Sequence, residues 1–308
     1  PIVDELGAAA KDEFNKASKE SYLDADFDTK IEDESSKIDL NDLVSPSKVL
    51  RENTRKQILN MFKSRIESDE AFQERYGNVR FEELVNNIAD WMSGQRESLN
   101  GGDKKNAYKE YDTESLPPSR AFRTLSELHL VAGMDDELYN MLEPRVTIYG
   151  LRGVNPNTAS KDVIMSLDEG ITSEIADAAI KRRDTPEEGG PFKTSKAGEP
   201  SDFEAFLRQK GARLSDTFKD IPFVYDSIVA FRVSAIGSFA KSSRKITVIT
   251  FDLEESASRL TSQLKTEAPP SSTTTTTTIP GASQGQGTGS TAKKNTKGPP
   301  RIVYWTEE

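Results

Sequence analysis

The sequence predicts an α+β fold in which a large helical region interrupts a small antiparallel sheet. Short runs of alternating apolar and polar residues at 22–40 predict strands, and strand patterns return after Pro222. Between them, from Ser45 to about Leu207, apolar residues recur at helical spacing. Because the chain returns to strands after the helices, we expect the flanking segments to share one sheet and the helices to be an insertion.

The first twenty residues predict the end of a longer amphipathic helix. Its apolar residues recur at helical spacing among charged ones: Ile2, Val3, Leu6, Ala9 and Phe14. A helix with one apolar face needs a partner, so these side chains are candidate contacts either to another helix or to the chain's own sheet. The sequence begins at Pro1 and not at methionine, so we expect an upstream segment that could hold a membrane anchor.

The segment at 22–40 is consistent with two short strands or with a hairpin. The helical region then begins near Pro46, because proline suits a first helical turn, and its first helix continues to about Ile66. Further helices are predicted at about 80–92, 119–132, 135–143, 158–167, 171–183 and 201–209. The basic run 181–183 lies where a helix should end, so we expect it to interact favourably with the helix dipole.

Branched and aromatic residues dominate after Pro222. They predict strands at 223–237 and 244–254 and a last strand at 301–308. Residues 266–300 are rich in Thr, Ser, Gly and Pro and predict a flexible excursion, because they cannot bury enough apolar surface to order the chain. We therefore divide the chain into the helix end and first strands (1–44), the inserted helical domain (45–215) and the remaining strands (216–308).

Composition excludes several classes of protein. The net charge is -10 and the pI about 5.0, so the chain repels phosphate backbones and generic nucleic-acid binding is disfavoured. Cysteine is absent, which excludes disulfides and thiolate sites. No window approaches the ~20 consecutive apolar residues of a membrane helix. With a single histidine, His129, and no cysteine, neither a His-rich metal site nor a cysteine nucleophile is available, and we expect no enzymatic activity.

Two segments, 125–139 and 159–183, have the outline of helix-hairpin-helix lobes, with Gly133 and Gly170 at their turns. Such hairpins bind nucleic-acid phosphates through backbone amides, helped by basic residues. Acidic residues follow the first turn and precede the second, so a packing role is favoured here. A nucleic-acid-binding module is the alternative function, and an enzyme with the helical region as its catalytic domain is a third hypothesis.

Three segments, taken in order, carry a family resemblance. Residues 33–41 (DESSKIDLN) are similar to a segment DE-x-G-K-x-N-L-N, with Ser36 and Asp39 in place of Gly and Asn. Residues 120–147 contain RAFRTLSEL, then Gly-Met, then LEPRVT, and residues 154–160 (VNPNTAS) are similar to I-N-V-N-T-A, with Thr158 or Ser160 suited to cap the next helix. Together these segments resemble the K-type minor pseudopilins of type II secretion systems.

The resemblance implies a pilin-like fold, in which the N-terminal helix packs on the small sheet. It also implies a non-enzymatic role at the tip of the secretion pseudopilus, with the I-type and J-type minor pseudopilins as partners. The precursor would be anchored by a single N-terminal helix in the inner membrane, with its globular part in the periplasm. The apolar side chains of residues 2–14 would then contact partner helices.

The family is also associated with calcium in its helical region, where a site needs several oxygen ligands. Asp90 matches the start of the family's acidic run, but Ser93 and Gln95 stand where acidic residues are expected. The carboxylates that could form a rearranged calcium site are Asp90, Glu97, Asp103 and Glu110. We favour an acidic loop exposed to solvent, and we expect no other cofactor.

Overall fold

The computed structural model describes residue 16 and residues 25–111, 115–150, 153–195, 199–225, 230–239, 241–251 and 301–307. Within this range Lys16 is helical and exposed. The predicted contact residues 2–14 and the predicted excursion 266–300 lie outside the described residues. Among the helices described, none combines the length and the apolar character that crossing a membrane would require.

The described strands are β1 (Ala25–Asp33), β2 (Ile38–Asp39), β3 (Val146–Thr147), β4 (Ala230–Phe239), β5 (Ser242–Phe251) and β6 (Arg301–Glu307). Four of them form an antiparallel sheet in the order β1-β4-β5-β6. β1 pairs with β4 in a register that sets Asp33 opposite Phe231. The strands on the two sides of the helical region therefore share one sheet, as predicted.

β2 and β3 form a separate parallel pair, with Ile38 opposite Val146. β1 and β2 thus belong to different sheets, and of the two alternatives for residues 22–40 the two strands are confirmed and the hairpin is wrong. The cause is the short 3-10 helix Glu34–Ser36 between them. The Asp33 side chain accepts a hydrogen bond from the Ser35 amide at its start, which turns the chain away from the sheet.

Seven α-helices are described: α1 (Lys48–Ser68), α2 (Glu70–Tyr76), α3 (Phe81–Met92), α4 (Asp136–Leu142), α5 (Lys161–Ser166), α6 (Ser173–Asp184) and α7 (Asp202–Gln209). Short 3-10 helices lie at Glu34–Ser36, Leu40–Val44, Lys104–Tyr108, Leu125–Leu130, Pro186–Glu188 and Phe218–Asp220. Side-chain caps begin most of the α-helices; Ser160, for example, accepts the amide of Val163 at 3.3 Å.

One predicted helix is wrong. Of residues 119–132, only Leu125–Leu130 is helical, and it is a 3-10 helix. The Glu127 carboxylate accepts a hydrogen bond from the Arg123 amide at 3.2 Å and pairs with Arg120 at 3.0 Å. These bonds hold residues 120–123 in an irregular conformation, so an apolar pattern that continues through them does not give a continuous helix.

The main cluster of buried apolar residues belongs to the helical region and runs along the sequence from Ile38 to Ile221. Ile38, Leu40 and Leu43 lie in this core before the first helix, and Phe218 and Ile221 lie in it after the last. The predicted domain limits at 45 and 215 remain predictions, but side chains on both sides of them pack with the helices.

The two faces of the main sheet differ. Residues directly opposite one another in neighbouring strands share a face, so Ile31, Val233, Val248 and Trp305 form an apolar row across all four strands. Trp305 is 55% exposed. On the other face Ile249 is fully buried, and Tyr149 of the helical region lies against the strands, with its ring 6.4 Å from Phe251 and 6.1 Å from Tyr304. The helical region therefore covers one end of this second face.

Candidate functional site, a buried polar joint

Residues from the three motif segments meet at the end of β1 and form a buried polar cluster. We call it the polar joint and define it as Asp33, Glu34, Thr147, Asn155, Thr158 and Arg232. Asp33, Glu34, Thr147 and Asn155 are each at most 5% exposed. Burying a charge without partners is costly, so the hydrogen bonds of this cluster decide whether the fold tolerates it.

Asp33 is the hub of the joint. Its Oδ1 accepts the Ser35 amide at 2.8 Å, and its Oδ2 accepts Asn155 Nδ2 at 2.9 Å and Thr158 Oγ1 at 2.8 Å. Burial raises the pKa of Asp33 above its ordinary value, although the hydrogen bonds from Thr158, Ser35 and Asn155 lower it and offset part of that rise. Of the two proposed capping residues, Ser160 caps α5, whereas Thr158 binds Asp33.

Glu34 provides the second half of the joint. Its carboxylate is paired with Arg232 of β4, whose Nε donates to Oε1 at 2.7 Å, and it accepts a hydrogen bond from the Thr147 hydroxyl of β3. Burial lowers the pKa of the Arg232 guanidinium, but the charge and hydrogen bond of Glu34, together with the charges of Glu143 and Glu32, outweigh burial and raise it above its ordinary value. One carboxylate therefore joins the main sheet to the smaller β2–β3 pair.

Backbone hydrogen bonds also attach the loop after β3 to the polar joint. The Asn155 amide donates to Ser35 O at 2.8 Å, and Val154 forms an isolated parallel bridge with Phe223. Gly153 permits this approach, because a Cβ there would lie 2.9 Å from a Val224 methyl carbon. The polar joint thus connects the main sheet to the helical region along both strands that flank the insertion.

The chemistry of the joint is structural. Its carboxylates are engaged by an arginine, two hydroxyls and amide groups, so neither is available as a base or nucleophile toward a substrate. The motif segments supplied Asp33, Glu34, Thr147, Asn155 and Thr158 as residues of interest, but no role was assigned to Arg232. Arg232 is the one charged residue of β4, and that is the signal that could have found it.

The four carboxylates of the possible calcium site are not assembled as a site. Asp90 accepts hydrogen bonds from Ser98 Oγ at 2.6 Å and the Leu99 amide at 3.1 Å, and Asp103 is paired with Arg96 at 2.8 Å. Glu97 meets Asp103 through a backbone bridge, and Glu110 is exposed. Across the described ranges, no three histidine or carboxylate side chains are grouped as a metal ion would require.

At both candidate hairpin turns, carboxylates accept hydrogen bonds from backbone amides. At the second turn Asp168 accepts the Gly170 amide at 2.9 Å, the Ser215 amide at 3.1 Å and the Ser215 hydroxyl at 2.6 Å. At the first, Asp135 accepts the Leu138 amide at 2.9 Å. A phosphate would meet negative charge at both places, so these turns give the nucleic-acid alternative no support.

Comparison with protein families identifies the chain. Two family models described as "Type II secretion system (T2SS), protein K" match residues 36–151 and 154–219, which together are more than half of its length. The chain belongs to the protein K family of type II secretion systems. Members of this family are minor pseudopilins that serve protein secretion as structural components. The first match begins directly after Ser35, so the four strands of the main sheet lie outside both matches, as do Asp33 and Glu34.

The fold agrees with that of a solved structure. A chain from the crystal structure of the GspK-GspI-GspJ complex of the enterotoxigenic Escherichia coli type 2 secretion system aligns with a TM-score of 0.54 at 15% sequence identity. The alignment covers 74% of this chain and 75% of that one. A comparison with curated protein sequences found no match. The likeness of fold at such low identity supports the mixed helix and antiparallel sheet architecture for this member of the family.

Proposed function

We propose that this protein K is a non-enzymatic minor pseudopilin that caps the tip of the secretion pseudopilus. The observation that carries the proposal is the position of the insertion. The whole helical region is inserted between two neighbouring strands, β1 and β4, and covers one end of the sheet. Head-to-tail assemblies continue until a subunit blocks the next addition, and so large a region at one end of the sheet would obstruct it.

The pilin-like part of the proposal concerns the apolar face of the main sheet. The row of Ile31, Val233, Val248 and Trp305 offers a continuous surface for a helix with one apolar face. We propose that the helix of residues 1–20 packs there and that the same helix reaches the partner helices through Ile2, Val3, Leu6, Ala9 and Phe14. The I-type and J-type minor pseudopilins are the proposed partners, because GspI and GspJ form the solved complex with GspK.

The proposed location is the inner membrane, with one N-terminal helix as anchor and the described region in the periplasm. Nucleic acid is not a proposed partner, because the net charge is -10 and the hairpin turns are acidic. The helical insertion and its domain limits, 45–215, belong to the same proposal.

Partner binding is tested by size-exclusion chromatography with light scattering on mixtures with the cognate I-type and J-type soluble domains. We expect a stable heterotrimer. Leu6→Ser should weaken it, whereas Lys16→Ser, a change at an exposed position of the same helix, should not. If Leu6→Ser instead lowers the Tm of the isolated protein and leaves the heterotrimer intact, residues 2–14 pack on the chain's own sheet. Separate elution of the three wild-type proteins would reject the partner proposal.

Tip capping is tested on assembled fibres. The chain has no cysteine, so Glu74→Cys at an exposed position of α2 gives a single thiol for a gold label. Electron microscopy of labelled pseudopili should then find gold at one end of each fibre. Label distributed along the fibres would show that protein K is incorporated as an ordinary subunit and would contradict capping.

A further inference from the structure

The loop that follows α3 contains a buried ammonium group. Lys104 is 6% exposed, and its Nζ donates to the carbonyl oxygens of Asp90 at 3.0 Å and Ser93 at 2.5 Å. These carbonyls belong to the last turn of α3 and to its C-cap, where the helix carries partial negative charge. A cation is therefore already bound at the place where the helix most favours one.

The backbone of this loop is closed around the same lysine. The Lys104 amide donates to Arg96 O at 3.1 Å, and the Ser98 amide donates to Gly102 O at 2.8 Å, so residues 96–104 form a small hairpin. Asp90 Oδ2 accepts the Ser98 hydroxyl at 2.6 Å from inside that hairpin. The ammonium, the carboxylate and the hairpin thus form one connected unit at the end of α3.

The charges of the loop also balance without a metal. Asp103 is paired with Arg96 at 2.8 Å, and the positive charge of Lys104 interacts with the carboxylates of Asp90 and Asp103. Calcium requires six to eight oxygen ligands at about 2.3–2.6 Å, and the carbonyl oxygens of Asp90 and Ser93 already accept hydrogen bonds from Lys104. A divalent ion brought to this place would be repelled by the ammonium and would have to displace existing hydrogen bonds.

We infer that the Lys104 ammonium is the resident cation of this loop and that protein K of this sequence folds without calcium, unlike the calcium association that its family resemblance implies. Lys104 fastens residues 93–104 to the C-terminus of α3 from within the chain. The order of this loop is then a fixed property of the subunit and does not vary with the concentration of divalent ions. The inference is independent of the proposed position at the pseudopilus tip.

The first test is thermal unfolding of the wild-type protein, freed of metal, with excess calcium and with a chelator. We expect the two Tm values to agree and calorimetric titration with calcium to give no binding heat. A site filled to about 100 times its Kd would raise the Tm by about 5 °C or more, so such a rise would overturn the inference. This test uses the wild-type protein, so its result does not depend on whether a variant folds.

The second test is Lys104→Met, which keeps the apolar stem and removes the ammonium. Its control is Lys109→Met, at an exposed position just after the 3-10 helix Lys104–Tyr108. Lys104→Met should lower the Tm by about 5 °C and speed amide hydrogen exchange in residues 93–104, because two carbonyls lose a charged donor. Lys109→Met should leave both measurements unchanged. If the two variants behave alike, Lys104 does not fasten the loop and the inference fails.

Discussion

Glu34 has no access to solvent; its charge is balanced by the Arg232 guanidinium, and it accepts a hydrogen bond from the Thr147 hydroxyl. Arg232 is 16% exposed in its side chain, so the ion pair lies almost entirely inside the protein. A buried pair of this kind gives little net stability compared with apolar residues, but removing one partner leaves a charge without compensation. Removing one partner of the pair should therefore cost more stability than removing both.

Glu34→Gln should destabilise the protein by about 3 kcal/mol or more, because it leaves the Arg232 guanidinium buried and unpaired. The measurement is the free energy of unfolding in urea. The double variant Glu34→Gln with Arg232→Met should recover a large part of the loss. Glu52→Gln, which removes an exposed pair with Lys48, is the control and should cost less than about 1 kcal/mol. Equal effects at the two glutamates would contradict the role given to the joint.

Asp33 should give the unfolding free energy a particular dependence on pH. Its folded-state pKa is raised from the ordinary value of 3.8 by burial, so the folded protein binds the proton more tightly than the unfolded chain does. The stability that this group contributes is therefore fully present below pH ~4 and is lost as pH rises through the folded-state pKa.

The test compares the wild type with Asp33→Asn at several pH values between about pH 4 and pH 7. The variant carries no ionisable group at this position, while the other titrating groups are shared, so the difference in unfolding free energy isolates Asp33. We expect the advantage of the wild type to shrink as pH rises. An advantage that grows with pH would mean that the hydrogen bonds to the carboxylate outweigh its burial.

Part of this residue-scale chemistry was accessible from the sequence. Asp33, Asn155 and Thr158 stood out through their motif segments, and a capping role was predicted for Thr158 or Ser160. Their convergence on one carboxylate was not predictable, because it depends on the parallel pairing of β2 with β3 and on the bridge from Val154 to Phe223. Such contacts between residues far apart in sequence leave no periodic signal.

At the scale of elements, α6 and α7 are joined through Arg182. Its Nη2 donates to both carboxylate oxygens of Asp202 at 2.9 Å, and its guanidinium lies 4.5 Å from the centre of the Phe192 ring and 4.9 Å from that of Phe206. The next residue, Arg183, donates to the carbonyl of Pro156 at 3.0 Å. The basic run 181–183 lies in the last turn of α6, as predicted, and Arg182 and Arg183 also bond to neighbouring segments.

Arg182→Lys should cost about 1–2 kcal/mol of stability in urea unfolding, although it conserves the charge. Lysine lacks the planar fork that bonds the carboxylate and stacks on the two rings. Lys181→Arg, at a side chain that is 68% exposed, should change stability by less than about 0.5 kcal/mol. If the Arg182→Lys variant is as stable as the wild type, charge alone joins the two helices.

The elements themselves were largely predictable, and the exceptions have physical causes. Strong alternation predicted β4, β5 and β6, and helical spacing predicted α1, α3, α6 and α7. The prediction missed α2, which follows α1 after the single residue Asp69, and β3, whose two residues are ordered by tertiary pairing. The segment 119–132 was wrongly predicted as a continuous helix. The spacing of its apolar residues carries no information about the bonds that Glu127 makes to Arg120 and Arg123.

For the whole molecule, the helical region has a core of its own. The buried cluster extends from Ile38 to Ile221, whereas the strands of the main sheet meet it through the polar joint and Tyr149. We predict that a fragment of residues 36–225 folds independently. It should give a single cooperative urea transition and a helical circular-dichroism spectrum. A broad transition without cooperativity would indicate that the sheet is needed to complete this core.

The pairing of β1 with β4 also sets an order of events during folding. Glu34 and Arg232 are 198 residues apart in sequence, and bringing such distant segments together in an unfolded chain costs entropy before any contact rewards it. Once the helical region has folded, the Asn155 amide donates to Ser35 O, and Val154 bonds with Pro222 and Val224 on either side of Phe223, so we expect β1 and β4 to start close together. We therefore expect the sheet to close last. Its apolar face would then form only on a subunit whose helical region has already folded, and assembly through that face would wait until folding is complete.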